Sequence, residues 1–264
     1  MNLDLSGKTA IVCGSTQGLG FACAVEIALL GANVILMARN EDKLKLCLQS
    51  LDGSNGQKHD YIVADFADPQ LVKAAMEQFE KKQKTVHILV NNTGGPAGGT
   101  IMAAKEEEFL QAFNAHLICN HILVQALVPG MQEANFGRII NIISTSVKQP
   151  IPGLGVSNTI RAAVANWSKT LAGELGKYGI TVNNVLPGFT KTVRADYVIK
   201  KKATDTGKNE ADVTKELVAE IPAGRMGMPE EFGAVVAFLC SPAAGYISGI
   251  NLPVDGGRTL SLTT

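Results

Sequence analysis

Three glycines, Gly14, Gly18 and Gly20, stand in the spacing G-x-x-x-G-x-G directly after the apolar run Thr9 to Cys13 and at the head of a helical-period segment, Leu19 to Leu30. Between a buried strand and a helix N-terminus, residues without a Cβ let backbone N–H groups approach a pyrophosphate, and the helix dipole favours its negative charge. The loop, with Ser15, Gln17 and Leu19 among its glycines, is therefore read as a dinucleotide phosphate site. The alternative is a glycine-rich turn that binds nothing; the strand-loop-helix placement favours the ligand. The next apolar run ends in Met37-Ala38-Arg39, with no Asp or Glu to take both ribose hydroxyls of NAD. Arg39 suits a 2′-phosphate, so NADP(H) is favoured over NAD(H), against the alternative of a solvated surface cation and without help from Gln17.

The elements that must position these residues follow from the periodicity. Short apolar runs at Thr9–Cys13, Asn33–Met37, Tyr61–Val63, Val86–Val90, Arg138–Ile143 and Ile180–Val185 read as strands. Helix-length segments at Leu19–Leu30, Glu41–Leu51, Pro69–Lys82, Glu106–Glu133 and Val156–Tyr178 alternate with them. Strands buried on both faces and joined by right-handed helical crossovers imply an α/β fold: a single-domain, Rossmann-like, doubly wound parallel sheet with helices on both faces, spanning residues 1–264. Residues 193–220 interrupt the alternation and read as a helical lid insertion; Pro229–Leu239 reads as a helix with Glu230 and Glu231 in its first turn, and Ile250–Val254 as a last strand.

Composition removes several classes of function. Lys plus Arg and Asp plus Glu are both 24, so there is no net charge to draw the 264-residue chain to nucleic acid. The five cysteines (Cys13, Cys23, Cys47, Cys119, Cys240) contain no C-x-x-C pair and the histidines no H-E-x-x-H, so neither a disulfide framework nor a metal site is expected. Reduced thiols, and a start (Met1–Thr9) that lacks the basic and apolar regions of an export signal, point to the cytoplasm. Residues 112–132 and 232–254 carry no charge, but polar residues or Pro and Gly interrupt them, and no membrane span is expected.

Together these segments resemble the short-chain dehydrogenase/reductase family, and within it the 3-oxoacyl-(acyl carrier protein) reductase-like branch, over nearly the whole chain. The residues that carry the resemblance are Leu5-Ser6-Gly7-Lys8-Thr9-Ala10-Ile11-Val12-Cys13-Gly14, Asn91-Asn92-Thr93-Gly94, Pro187-Gly188 with Thr192, the run Arg225 to Glu231, Gly245 to Gly249, and Val254 to Gly257. The resemblance implies cofactor contacts at Asp65, Asn91, Gly94, Pro187, Gly188 and Thr192. It also implies a catalytic Asn, Ser, Tyr and Lys. Asn114 and Ser144 match the first two, but thirteen positions after Ser144, where Tyr is expected, stands Ser157, and four further on, where Lys is expected, stands Arg161.

That S-x-x-x-R in place of Y-x-x-x-K alters the chemistry. A serine hydroxyl is a far poorer acid than a phenol, and Arg161 keeps a cation and a fork of donors for ribose hydroxyls without relaying a proton. Three readings follow. Ser157 and Ser144 with a water, ordered by Asn114, serve the substrate oxygen; or Tyr197 or His116 supplies the acid after lid closure; or the protein binds dinucleotide as a sensor or non-catalytic subunit without a redox step. The bland alternatives are a helix-bending Asn114, a capping Ser144 and a Ser157 that merely caps its helix.

The substrate implied is a small-molecule or acyl-carrier-bound carbonyl, such as a 3-oxoacyl thioester of fatty acid biosynthesis. Lys191, Arg194, Lys200, Lys201, Lys202 and Lys208 would help an acidic carrier approach, unless they form only a solvated face. The family resemblance also implies a homotetramer, with residues 232–254 packed between subunits.

Overall fold

The computed structural model of the chain describes residues 1–81 and 85–261. Seven strands form one parallel sheet: β1 (Thr9–Cys13), β2 (Asn33–Ala38), β3 (Asp60–Val63), β4 (Ile88–Asn91), β5 (Gly137–Ile142), β6 (Ile180–Pro187) and β7 (Asn251–Val254), in the order β3-β2-β1-β4-β5-β6-β7. The chain winds outward from β1 to β3, returns to place β4 against the free side of β1, and winds outward again. The crevice at the carboxyl ends of β1 and β4, where the winding reverses, is where ligands of such sheets bind.

Helices α1 (Gly18–Leu29), α2 (Glu41–Leu48), α3 (Pro69–Glu80), α4 (Glu106–Phe113), α5 (Cys119–Glu133), α6 (Gly155–Leu175), α7 (Val193–Thr206), α8 (Glu210–Ala219) and α9 (Pro229–Cys240) complete the chain. Alternation along each strand sends side chains to two separate cores. Ala10 and Val12, Val34 and Leu36, and Ile88 and Val90 face Ile27 of α1 and Phe232 and Val236 of α9. Ile11, Ile35, Leu89 and Ile139 face Val72 and Met76 of α3 and Leu123 and Leu127 of α5. Each such aliphatic side chain, once fully buried, contributes about 1.5–3 kcal/mol relative to exposure.

Local signals set the boundaries. Asn40 caps α2 by accepting the Lys43 N–H at 2.9 Å, and Asp68 caps α3 by accepting that of Gln70 at 2.9 Å, with Pro69 first in the helix. The expected end of the third helix at Lys82 lies outside the described residues. The segment expected as one helix over Glu106–Glu133 is broken at Asn114–Ile118 by a π-helical turn, which periodicity alone does not reveal. The expected lid is two helices, α7 and α8, joined through Gly207 in the left-handed region.

A row of amides, buried at Asn91, Asn141 and Asn184 and half-buried at Asn251, crosses the carboxyl half of the sheet. Asn91 Nδ2 donates to Asn141 Oδ1 at 2.8 Å, Asn141 Nδ2 donates to Asn184 Oδ1 at 3.1 Å, and Asn184 Nδ2 donates to Asn251 Oδ1 at 2.8 Å. The four residues are direct partners in the registers of β4, β5, β6 and β7. Ser168 of α6 joins them by donating to Asn184 Oδ1 at 2.7 Å.

All five cysteines are free, and burial pushes the thiols of Cys119 and Cys240 up to about 12, which suppresses nucleophilic character. Among the described residues no helix is long and apolar enough to cross a membrane, and no group of His, Cys, Asp and Glu could hold a metal ion.

Candidate active site

The glycine loop after β1 is built for close approach. Gly14 has φ +57°, and a Cβ there would lie 2.7 Å from Asn92; a Cβ on Gly20 would lie 2.4 Å from the Gly14 carbonyl oxygen. Gln17, the residue before α1, is extended and its side chain makes no capping hydrogen bond, so the first N–H groups of α1 are left open to a ligand. These are the features a pyrophosphate needs. Ser15 does something else: it is fully buried, and its Oγ accepts the Met37 N–H at 3.1 Å, tying the loop to β2 instead of facing the cleft.

Of the asparagine pair, the one expected to serve the cofactor, Asn91, turns into the sheet and joins the amide row. Its neighbour Asn92 is the one that reaches the glycine loop, its Nδ2 donating to the carbonyls of Cys13 and Gly14 at 3.3 and 3.2 Å. The reason is register: Val12 pairs with Val90, so the residue two beyond Val90 stands level with Gly14, and alternation sends Asn91 to the opposite core.

A cleft of about 820 Å³ runs from this loop across the ends of β2 and β3. Gly14, Gln17, Arg39, Asp65 and Gly94 line it as expected; Thr16, Asn40, Lys43, Phe66 and Thr93 were not anticipated. Arg39 keeps 77% of its side chain exposed and pairs loosely with Asp65 at 3.9 Å. Lys43, in the first turn of α2, adds a second cation to the same wall; its place in a helix starting at Glu41 was legible, but not that this helix borders the cleft.

Gly94 and His116 both line this cleft, and a Cβ on the neighbouring Gly95 would lie 3.7 Å from Arg161 Nη2. Asn114 opens the π turn, which packs against α6. Ser144 follows β5 and accepts the Ser146 N–H at 3.1 Å, so it does cap the short 3-10 turn Thr145–Val147. Ser157 is half-buried inside the first turn of α6, whose cap residue is Leu154, so Ser157 is not the cap. One turn on, Arg161 is buried and its Nη1 donates to the Ile142 carbonyl at 3.0 Å, which fastens α6 to the end of β5 two residues before Ser144. Burial, then the nearby charge of Arg194, lowers the Arg161 guanidinium to about 10, leaving it cationic.

His116 is buried, hydrogen-bonds the backbone of Gly94, and is driven down to about 2 by burial and then by Arg161. Both causes favour the neutral imidazole. Tyr197 is 56% exposed on α7, with the Arg194 guanidinium 5.3 Å above its ring. Pro187 and Gly188 close β6, and Thr192, the residue before α7, sits beside the phosphate loop: a Cβ on Gly18 would lie 3.7 Å from its methyl group. Leu19 is half-buried within α1.

The family model for enoyl-(acyl carrier protein) reductase matches residues 14–259. The chain belongs to the short-chain dehydrogenase/reductase family, on its 3-oxoacyl-(acyl carrier protein) reductase-like branch. It is 34% identical over 257 residues to the 3-oxoacyl-[acyl-carrier-protein] reductase FabG of Haemophilus influenzae, covering 97% of this chain and 100% of that one. Among solved structures it is similar to L-sorbose reductase from Gluconobacter frateurii complexed with NADPH and L-sorbose (TM-score 0.93, 34% identity, 99% of this chain and 100% of that one). It is also similar to YwfH, an NADPH-dependent reductase involved in bacilysin biosynthesis (TM-score 0.92, 28% identity, 97% of this chain and 100% of that one).

Proposed function

We propose that the protein is an NADP(H)-dependent reductase that converts a carbonyl to an alcohol through a site in which Ser157 and Arg161 take the places of the tyrosine and lysine usual in the family. The observation that carries this reading is the cleft that runs from the open α1 N–H groups to Gly94 and His116, with the buried Arg161 guanidinium fastened to the carboxyl end of β5. Gly14, Gly18 and Gly20 would take the pyrophosphate, Arg39 and Lys43 the 2′-phosphate, and Asp65 and Gly94 the neighbouring sugar and base. Arg161 would grip the nicotinamide ribose. The bound dinucleotide supplies a hydride.

The chain's own residues supply the rest. Ser144 and Ser157 donate hydrogen bonds to the substrate oxygen, and Arg161, cationic at every working pH, favours negative charge developing on that oxygen. Because Arg161 holds its proton, the proton that completes the alcohol comes from water, ordered by Asn114 at its π turn. A 3-oxoacyl thioester, the substrate class in the names of the FabG relatives, heads the panel to test.

Titration with NADPH and NADH, followed by single-turnover assays on 3-oxoacyl thioesters, ketones and aldehydes, tests the reading. Reduction that falls at least tenfold in Ser144→Ala and Ser157→Ala supports it. Tight NADPH binding with no turnover on any carbonyl would replace it with a dinucleotide-binding subunit or sensor. The assembly we propose is a homotetramer; a light-scattering mass of one or two 27.9 kDa chains would exclude it.

A further inference from the structure

One stretch of the cleft's lining belongs to neither the glycine loop nor the strand ends. Glu108, Gln111 and Ala112 of α4 and Ala115 of the π turn line it, in the i, i+3, i+4, i+7 spacing of one helical face. A second stretch, just past the end of β3, is made of Ala64, Asp65, Phe66 and Ala67. The two stretches are tied below α4, where Cys119 Sγ, at the head of α5, donates to the Phe66 carbonyl at 3.5 Å.

The other polar side chains of these two stretches already have duties. Glu108 Oε2 accepts the Lys105 N–H at 2.8 Å and closes the start of α4. Asp65 Oδ1 accepts the Ala67 N–H at 3.0 Å, and its Oδ2 faces Arg39 at 3.9 Å. Gln111 differs: its amide makes no hydrogen bond among the described residues, and it is exposed to the cleft between Glu108 and Ala115. Ala112 and Ala115 beside it are small, so the helical face stays flat where a planar ring would approach. A free primary amide next to a flat apolar face is the pairing that recognises a heterocycle by its edge and its plane together.

We propose that Gln111 reads the base of the dinucleotide, its amide oxygen accepting from the 6-amino group of adenine and its amide nitrogen donating to the adjacent ring nitrogen. The proposal rests on the reading of the cleft as an NADP(H) site and concerns how that site selects its base. In this cofactor the base and the 2′-phosphate are carried on adjacent ribose carbons, so a phosphate at Arg39 and Lys43 keeps the base within the neighbouring lining of Ala64, Asp65, Phe66 and Gln111. The donor and acceptor of a glutamine amide match the amine and ring nitrogen of adenine as a pair. A 6-oxo base sets an acceptor against the amide oxygen instead, and that bond is lost.

The test needs no turnover. Fluorescence titration gives dissociation constants for NADPH and for its hypoxanthine analogue, in which a 6-oxo group replaces the 6-amino group, in the wild type, Gln111→Leu and Gln111→Glu. The wild type is expected to bind NADPH about tenfold tighter than the analogue, the scale of one hydrogen bond lost with its partner left unpaired. In Gln111→Leu that ratio falls towards one because NADPH binds more weakly while the analogue is nearly unaffected. In Gln111→Glu, which keeps an acceptor but adds charge near the 2′-phosphate, both bind more weakly and part of the ratio remains. Gln111 is exposed, so neither substitution touches a core, and urea unfolding midpoints within error of the wild type verify that. Equal binding of the two dinucleotides by the wild type overturns the proposal, as does an undiminished ratio in Gln111→Leu, which would leave the base to other groups. Equal weakening of both dinucleotides in Gln111→Leu also overturns it, since the residue would then support the cleft without reading the base. Binding of neither dinucleotide by the wild type overturns the NADP(H) reading and this proposal with it, a result distinct from binding without selection.

Discussion

Asn92 holds Gly14 in place: an amide from the end of β4 donates to the carbonyl of the first glycine in the phosphate loop at 3.2 Å, with a second bond to Cys13. Asn92→Ala leaves both carbonyls without this donor, at a cost of about 1–3 kcal/mol in stability. Because the loop geometry depends on it, NADPH affinity is expected to fall about tenfold. Urea unfolding and fluorescence titration of NADPH check the two effects separately, and a variant unchanged in both would refute the link.

The cleft wall carries Arg39 and Lys43 together. Arg39→Ala should weaken NADPH by about 1.5–3 kcal/mol, the range for a hydrogen bond to a charged group, and leave NADH within about threefold. Lys43→Ala should act in the same direction, and the double variant should bind both cofactors about equally. Dissociation constants for the two dinucleotides across the three variants are the measurement; equal losses for NADH would show that the pair does not read the 2′-phosphate.

Arg161 has two duties, one structural and one electrostatic. Arg161→Met removes the Ile142 bond and the buried cation at once, so kcat should drop about 10²-fold, the scale for losing one oriented donor at a developing oxyanion. Arg161→Lys keeps the charge and should recover a large part of kcat. Single-turnover rates report this, and equal rates for the two variants would show that the charge is not what matters.

His116 makes folding pH-dependent. Its folded pKa of about 2 lies far below the ordinary 6.5, because burial and Arg161 disfavour the imidazolium. The unfolded chain takes up a proton that the folded chain refuses. The corresponding stability is therefore fully present above pH 6.5 and declines as pH falls from 6.5 towards 2, at about 1.4 kcal/mol per pH unit. His87, also lowered by burial, acts in the same sense, so the comparison of wild type with His116→Gln isolates one residue. Urea unfolding at pH 6.5 and 4.5 should show a shallower loss in the variant; parallel losses would refute the assignment.

The sheet was legible because β1, β4, β5 and β6 are buried on both faces and are mostly apolar, and because several helices carry a start signal, as at Asn40, Asp68 and Pro229. What escaped depended on contacts between distant segments. That Asn92 faces the glycine loop while Asn91 does not follows from the β1–β4 register, which one strand's pattern cannot show. Ser15 looked like a phosphate ligand by position, yet its hydroxyl meets the Met37 N–H across the strand pair. That His116 is buried, and lies within the influence of the distant-in-sequence Arg161, is likewise invisible in one segment's pattern. The lysine run read as a free patch because Glu216 of α8, which pairs Lys202 and Lys208, faces it only once α7 and α8 are folded together; Asp205 pairs Lys201 within α7.

The amide row across β4 to β7 has a consequence for how the strands find one another. Main-chain hydrogen bonds in a parallel sheet are evenly spaced and would accept a neighbour displaced along its length. A slip of one residue between β5 and β6 would set Val185 or Asn183 opposite Asn141 and turn the amides towards the wrong core, leaving buried donors and acceptors unmet at about 1–3 kcal/mol each. Asn91, Asn141, Asn184 and Asn251 thus work as a key whose teeth fit at a single setting, and that setting is the one that brings the ends of β4, β5 and β6 level beneath Gly94, Ser144 and Gly188.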